Sequence, residues 1–146
     1  MKSSETNLIS VALLLNRLTL GVLFALAGVR KLLPTDEATI VDKMNGFASY
    51  VASQAPLPEA LGKAYGYALP WAEILVGATL IVGFFTRLSA VLIGLMLLSF
   101  IIAMGVEWWP AQGPAFSKNV ILLTLCVLIA AAGSGKFALK PDGPLK

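Results

Sequence analysis

Four stretches of this sequence stay apolar for long enough to cross a bilayer, and that property constrains the fold more than any motif does. A spanning helix needs about 20 apolar residues at a rise of roughly 1.5 Å each. The stretches run from about Leu8 to Leu33, Tyr67 to Phe85, Leu88 to Val106 and Ser117 to Ala132. The last is the shortest, with Ser117 as its expected N-cap after Gly113-Pro114. A very tight turn around Thr86-Arg87 joins the second and third, which makes those helices antiparallel neighbours. The expected fold is all-α: one integral membrane domain over residues 1–146, built as a four-transmembrane-helix bundle. The link from Pro34 to Gly66 adds an amphipathic surface helix over about 35–53, where Ile40, Val41, Met44, Phe47 and Val51 recur at helical spacing. Asp36 and Glu37 supply the acid expected in its first turn, and Pro56 and Pro58 end it.

Composition supports a membrane rather than a dry soluble core. Hydrophobic side chains make up 58% of the chain and charged ones 13%, against about 25% charged in soluble domains. The net charge of +3 is scattered, which argues against nucleic-acid binding. The chain has no histidine and a single cysteine, Cys126. Those counts exclude a disulfide within the chain, imidazole-ligated haem and histidine-based acid–base chemistry. No converging set of metal ligands is visible, so no metal is expected. Ala25-Leu26-Ala27 resembles a signal-peptide cleavage site, but Asn16 and Arg17 interrupt the apolar stretch and it is read as a retained helix.

Four spans would put both termini on one side with the Arg87 turn. The long first loop can carry its charges across, so both termini are expected on the cytoplasmic face of a bacterial or archaeal cytoplasmic membrane. Trp71, Trp108, Trp109, Tyr50, Tyr65 and Tyr67 all fall on the opposite side. A headgroup belt plus a packed cap explains such a cluster, and so does an aromatic wall around a site.

Glu73 lies inside the apolar run that continues to Phe85. An acidic residue at the centre of a spanning helix costs about 2.5–3.5 kcal/mol on insertion scales, so it needs a partner, a proton or a task. Lys31 ends the first helix on the same side, Lys118-Asn119 opens the fourth there, and Arg17 reaches from the other side. The expected arrangement is a polar seam, Arg17–Glu73–Lys118/Lys31, with Asn16 and Asn119 beside it. Such a seam either fixes helix register or forms a ligand site. In the second case Glu73 is the candidate proton carrier, and Arg17, Lys31, Trp71, Lys118 and Asn119 are the candidate ligand-binding residues. Small residues at Gly21/Ala25, Gly62/Gly66 and Ala90/Gly94, with Gly28, Gly77 and Gly83, mark points of close helix approach.

These residues resemble the DoxX family of small four-helix membrane proteins over about Arg17 to Gly135. The markers are Arg17, Leu23-Phe24, Gly28-Val29-Arg30-Lys31, Phe47, Glu73-Ile74-Leu75-Val76-Gly77, Leu80 to Arg87, Lys118-Asn119 and Gly133-Ser134-Gly135. The family's usual Ser-Leu-Asp type ending is replaced by Phe137-Ala138-Leu139-Lys140, which lacks the acid. The resemblance implies association with membrane redox systems, including quinone-reducing ones and periplasmic redox partners. The leading expectation is thus a subunit or partner of a membrane-bound oxidoreductase, with a quinone or small-anion site around Glu73. Any electron-carrying cofactor would then belong to another chain. The alternatives are a structural or assembly subunit with no site of its own, and a small transporter. A homo-oligomer is compatible with all three.

Overall fold

The computed structural model describes residues 3–104, 118–140 and 142. Among these residues the chain is helical without strands: α1 Ser3–Leu32, α2 Ile40–Gln54, α3 Glu59–Val82, α4 Thr86–Met104 and α5 Lys118–Ala132. Three helices are long and apolar enough to cross a membrane, over Asn7–Leu32, Glu59–Val82 and Thr86–Ala103. The expectation of four spans is not confirmed: three helices qualify, and the fourth apolar helix, α5, is shorter. α5 has 15 residues and so rises only ~22 Å, less than the ~30 Å of a hydrocarbon core. The expected N-cap, Ser117, lies outside the described residues. The long helices expose large apolar side chains, among them Leu15, Leu26, Leu75, Leu88, Leu95 and Ile102. Helices apolar on every side belong in lipid, and the chain is an integral membrane protein.

The boundaries depart from the sequence reading in physically informative ways. α2 starts at Ile40, not near Thr35. Thr39 caps it, with the Asp42 amide donating to Thr39 Oγ1 and the Thr39 amide donating to Asp42 Oδ2 at 2.9 Å. This reciprocal cap fixes the start, so Asp36 and Glu37 fall in a preceding turn closed by Thr35 and Ala38. α3 begins eight residues before the expected Tyr67, straight after Pro58. The turn before α4 is Gly83-Phe84-Phe85, with Gly83 at φ 78°, and Thr86-Arg87 open the next helix.

α3 is the hub. It packs along α1 on one side and under α2 on another, and meets α4 more sparingly. Glycine makes the close contacts. A Cβ on Gly77 would stand 2.6 Å from the Ala25 amide nitrogen and 2.7 Å from the Gly21 oxygen. On the α2 side, Cβ atoms on Gly62 and Gly66 would stand 2.7 and 2.6 Å from the Cα atoms of Ala52 and Ala48. The spacing of Gly62 and Gly66 marks a point of close helix approach although both fall in the link expected from Pro34 to Gly66. Here they form a small-residue stripe that seats α2. The Ala90/Gly94 pair is different, since a Cβ on Gly94 would meet only Cys126 and Leu123 side chains at 3.6 Å.

These contacts separate two substitutions. Gly66→Leu should undock α2, seen as faster proteolysis in the Ala55–Pro58 link and a lower unfolding temperature. Gly94→Ala should leave both unchanged or stabilise slightly, by up to ~1 kcal/mol from helix propensity.

Candidate functional site

α1 and α3 run antiparallel in a register that brings two polar clusters together at opposite ends of their contact. Gly28 approaches Pro70 and Glu73, Gly21 approaches Gly77 and Ile81, and Arg17 reaches Leu80 and Ile81. Gly28 lies against both Pro70 and Glu73, and the Lys31 side chain, one turn farther along α1, leans back towards the helix N-terminus to reach Glu73.

Glu73 is 1% exposed. Lys31 Nζ donates to Glu73 Oε1 at 2.5 Å and also to Oε2, so the ammonium bridges the carboxylate. The same Nζ stands 5.0 Å from the centre of the Phe47 ring on α2, a cation–π contact on its far side. The pair does not sit in solid protein. It lies on the wall of a cavity of about 460 Å³ to which all five helices contribute. Lys118 and Asn119 of α5 line the cavity with Lys31 and Glu73. Most of the remaining wall is apolar, including Phe24, Leu69, Leu97, Phe100 and Leu122. Tyr65 and Ser99 add hydroxyls, bonded to each other at 2.6 Å across α3 and α4. Ser99 Oγ donates to the Met96 carbonyl at 2.7 Å, so the Tyr65 hydroxyl is the donor to Ser99.

The continuous seam expected from sequence is two separate clusters. Four of its members, Lys31, Glu73, Lys118 and Asn119, surround the cavity. Arg17 is 1% exposed and works at the far end of α3, about 10 Å along the helix from Glu73. Its Nε donates to the Leu80 carbonyl at 3.1 Å, one terminal nitrogen to Ile81 at 3.2 Å, and the other to Ser134 at 2.8 Å. Asn16 donates to the Ala12 carbonyl of its own helix at 3.0 Å. Trp71 is 55% exposed and is not among the cavity-lining residues. Of the other aromatic residues, Tyr50 and Tyr65 line the cavity, while the Tyr67 hydroxyl donates to Asn45 at 2.6 Å. Trp108 and Trp109 lie outside the described residues.

Sequence reasoning missed Phe47 and Ser99 at the cavity, and placed Tyr65 there only as one member of an aromatic cluster. Ser99 carried a signal, being a hydroxyl within the apolar run Leu97-Leu98-Ser99-Phe100. Asp142 was missed as well. It follows the acid-free stretch Phe137–Lys140, and its amide donates at 2.8 Å to Oγ of Ser134, the residue whose carbonyl accepts from Arg17.

If Lys31 and Glu73 support each other, removing either strands the other in a low-dielectric wall. Lys31→Met or Glu73→Met alone should then cost several kcal/mol, with ~3–5 typical for half of a buried pair. The double variant should regain most of that stability. Equilibrium unfolding of all four proteins in one detergent checks this, and additive losses would contradict the pairing.

No curated protein and no solved structure gives a significant match to this chain. A family model does match, that of methylamine utilisation protein MauE, over residues 9–115. The resemblance to DoxX is thereby corrected. Its markers, an intramembrane Arg, a Glu and glycine contacts, are what close helix packing and buried charge demand of many small bundles, so they do not discriminate between families. The match spans well over half of the sequence, and the chain belongs to the MauE family of membrane proteins.

Proposed function

We propose that this protein is a membrane-embedded accessory component of a redox system, and that the cavity at Lys31–Glu73 binds a lipophilic molecule with an oxygen-bearing head. The family name supports the first half, because using methylamine requires its oxidation. A protein that stays in the membrane in such a system stands beside an oxidoreductase and its membrane electron acceptors. A quinone is the acceptor that fits this medium. Its two electrons would come from the partner enzyme. Lys31 would hold a head oxygen, and Glu73 would relay the two accompanying protons in turn, each taken up from water.

One observation carries the reading: the intramembrane ion pair lies on the wall of a cavity instead of being sealed in packed protein. Its size, about 460 Å³, falls in the range of small-molecule sites, and its few polar groups converge in an apolar lining. Charged residues within spanning helices that face a cavity are functional candidates by default.

In the same reading α5 is a fourth crossing, its short length met by local thinning of the bilayer, and both termini share the cytoplasmic face. Reporter fusions at the two ends should give the same side; opposite sides would reject that topology.

The site is tested by Glu73→Gln, which keeps a hydrogen-bonding side chain and removes the titratable group. Amine-driven quinone reduction in membrane vesicles should fall by about 10²-fold or more, at unchanged protein level. Unchanged turnover would reject the site and favour a purely structural subunit. That alternative predicts loss of the complex on bulky substitution at Gly21 or Gly77 instead.

A further inference from the structure

We propose that the molecule held at Lys31–Glu73 carries a single long apolar chain, which leaves the cavity between α3 and α4 beside the Tyr65–Ser99 hydrogen bond and lies in a lipid-facing groove. The inference rests on the reading of the cavity as a binding site and names the ligand class and its path.

A second cavity, of about 400 Å³, lies between α3 and α4. Ala72 and Val76 line it from α3, and Leu92 and Leu95 from α4. It shares Leu57, Tyr65 and Ser99 with the first cavity, so the two spaces meet at the hydroxyl pair. Leu92 and Leu95 are 39% and 56% exposed, which opens this groove towards lipid.

The seam between α3 and α4 is suited to a lateral passage. A three-residue turn joins these helices, yet they touch over far less of their length than α1 and α3 do. Two hydroxyl pairs bridge them: Thr79–Ser89 at 3.0 Å near the turn and Tyr65–Ser99 farther along. A continuous glycine contact such as the one between α1 and α3 is absent from this seam among the described residues.

The linings divide the work. Of these two cavities, it is the first that Lys31, Glu73, Lys118 and Asn119 line. Lys118 has no ion-pair partner among the described residues, and the described lining carries two lysines and one carboxylate. That balance favours a head with electron-rich or anionic oxygen. The second cavity is apolar apart from the shared hydroxyls, and suits hydrocarbon. A chain moving from bilayer to groove changes one apolar medium for another, so selectivity comes from the head.

Two benzoquinones with the same ring test the path in nanodiscs, one without a chain and one with a decyl chain ending in a diazirine. On illumination the chain end should label Val76, Leu92 or Leu95. Leu92→Trp, and Leu95→Trp as a second obstruction on the same wall, should weaken the chain-bearing quinone about tenfold or more. Both should leave the chainless quinone within about twofold. Labelling of Leu23 or Leu122 on the other side of the cavity would overturn the path, as would tryptophan variants that weaken both quinones or neither. If Lys31→Met/Glu73→Met fails to weaken either quinone, the binding site itself falls and the path with it.

Discussion

The contact between α1 and α3 sets the geometry of everything else described. Gly21, Gly28 and Gly77 let two helix backbones approach to distances that a single added methyl would forbid. In lipid there is no hydrophobic force between helices, and close packing of small residues takes its place. That packing is sensitive to register. Sliding one helix by a residue would push a side chain into the partner's backbone. The register that results places Lys31 against Glu73 at one end and Arg17 against the end of α3 at the other. A glycine stripe with no chemistry of its own thus positions both charged clusters.

The Arg17 end shows what a membrane demands of a helix terminus. The last carbonyls of a helix have no amide within it, and in a bilayer an unsatisfied carbonyl costs several kcal/mol. At the end of α3 each one is accounted for. The Gly83 and Phe84 amides donate to Thr79, Arg17 donates to Leu80 and Ile81, and the Leu139 amide donates to Val82. A cation at that end also suits the helix dipole. Arg17 therefore closes the bundle, and this frees Glu73 to pair with Lys31 alone at the cavity wall. The charge that looked like part of one seam serves a separate structural end.

Much of this was legible in the sequence because the signals were local or binary. Apolar runs gave the long helices, and a carboxylate at position 73 announced a partner. Lys31, Lys118 and Asn119 were found because each sits at a helix end on the same side as Glu73. Residues whose role depends on three-dimensional proximity were not legible. Phe47 reads as one more apolar position of a surface helix until α2 lies across Lys31. The spacing of Gly62 and Gly66 announces a close approach, but its partner, α2, is identified only once α2 is docked. Arg17 misled because a long side chain reaches two ways, and only the carbonyl accounting at the end of α3 decides between them. The family resemblance misled for a related reason: features imposed by the bilayer recur in unrelated small bundles.

The central claim is that the Lys31–Glu73 pair anchors a molecule in the cavity beside it. The most direct measurement is to extract the protein with its surrounding lipid in a polymer nanodisc and quantify the amphiphiles that come with it by mass spectrometry. The account predicts one species enriched over the bulk membrane at close to one molecule per chain, and lost in Lys31→Met/Glu73→Met. Amphiphiles matching the bulk membrane in both proteins would contradict it.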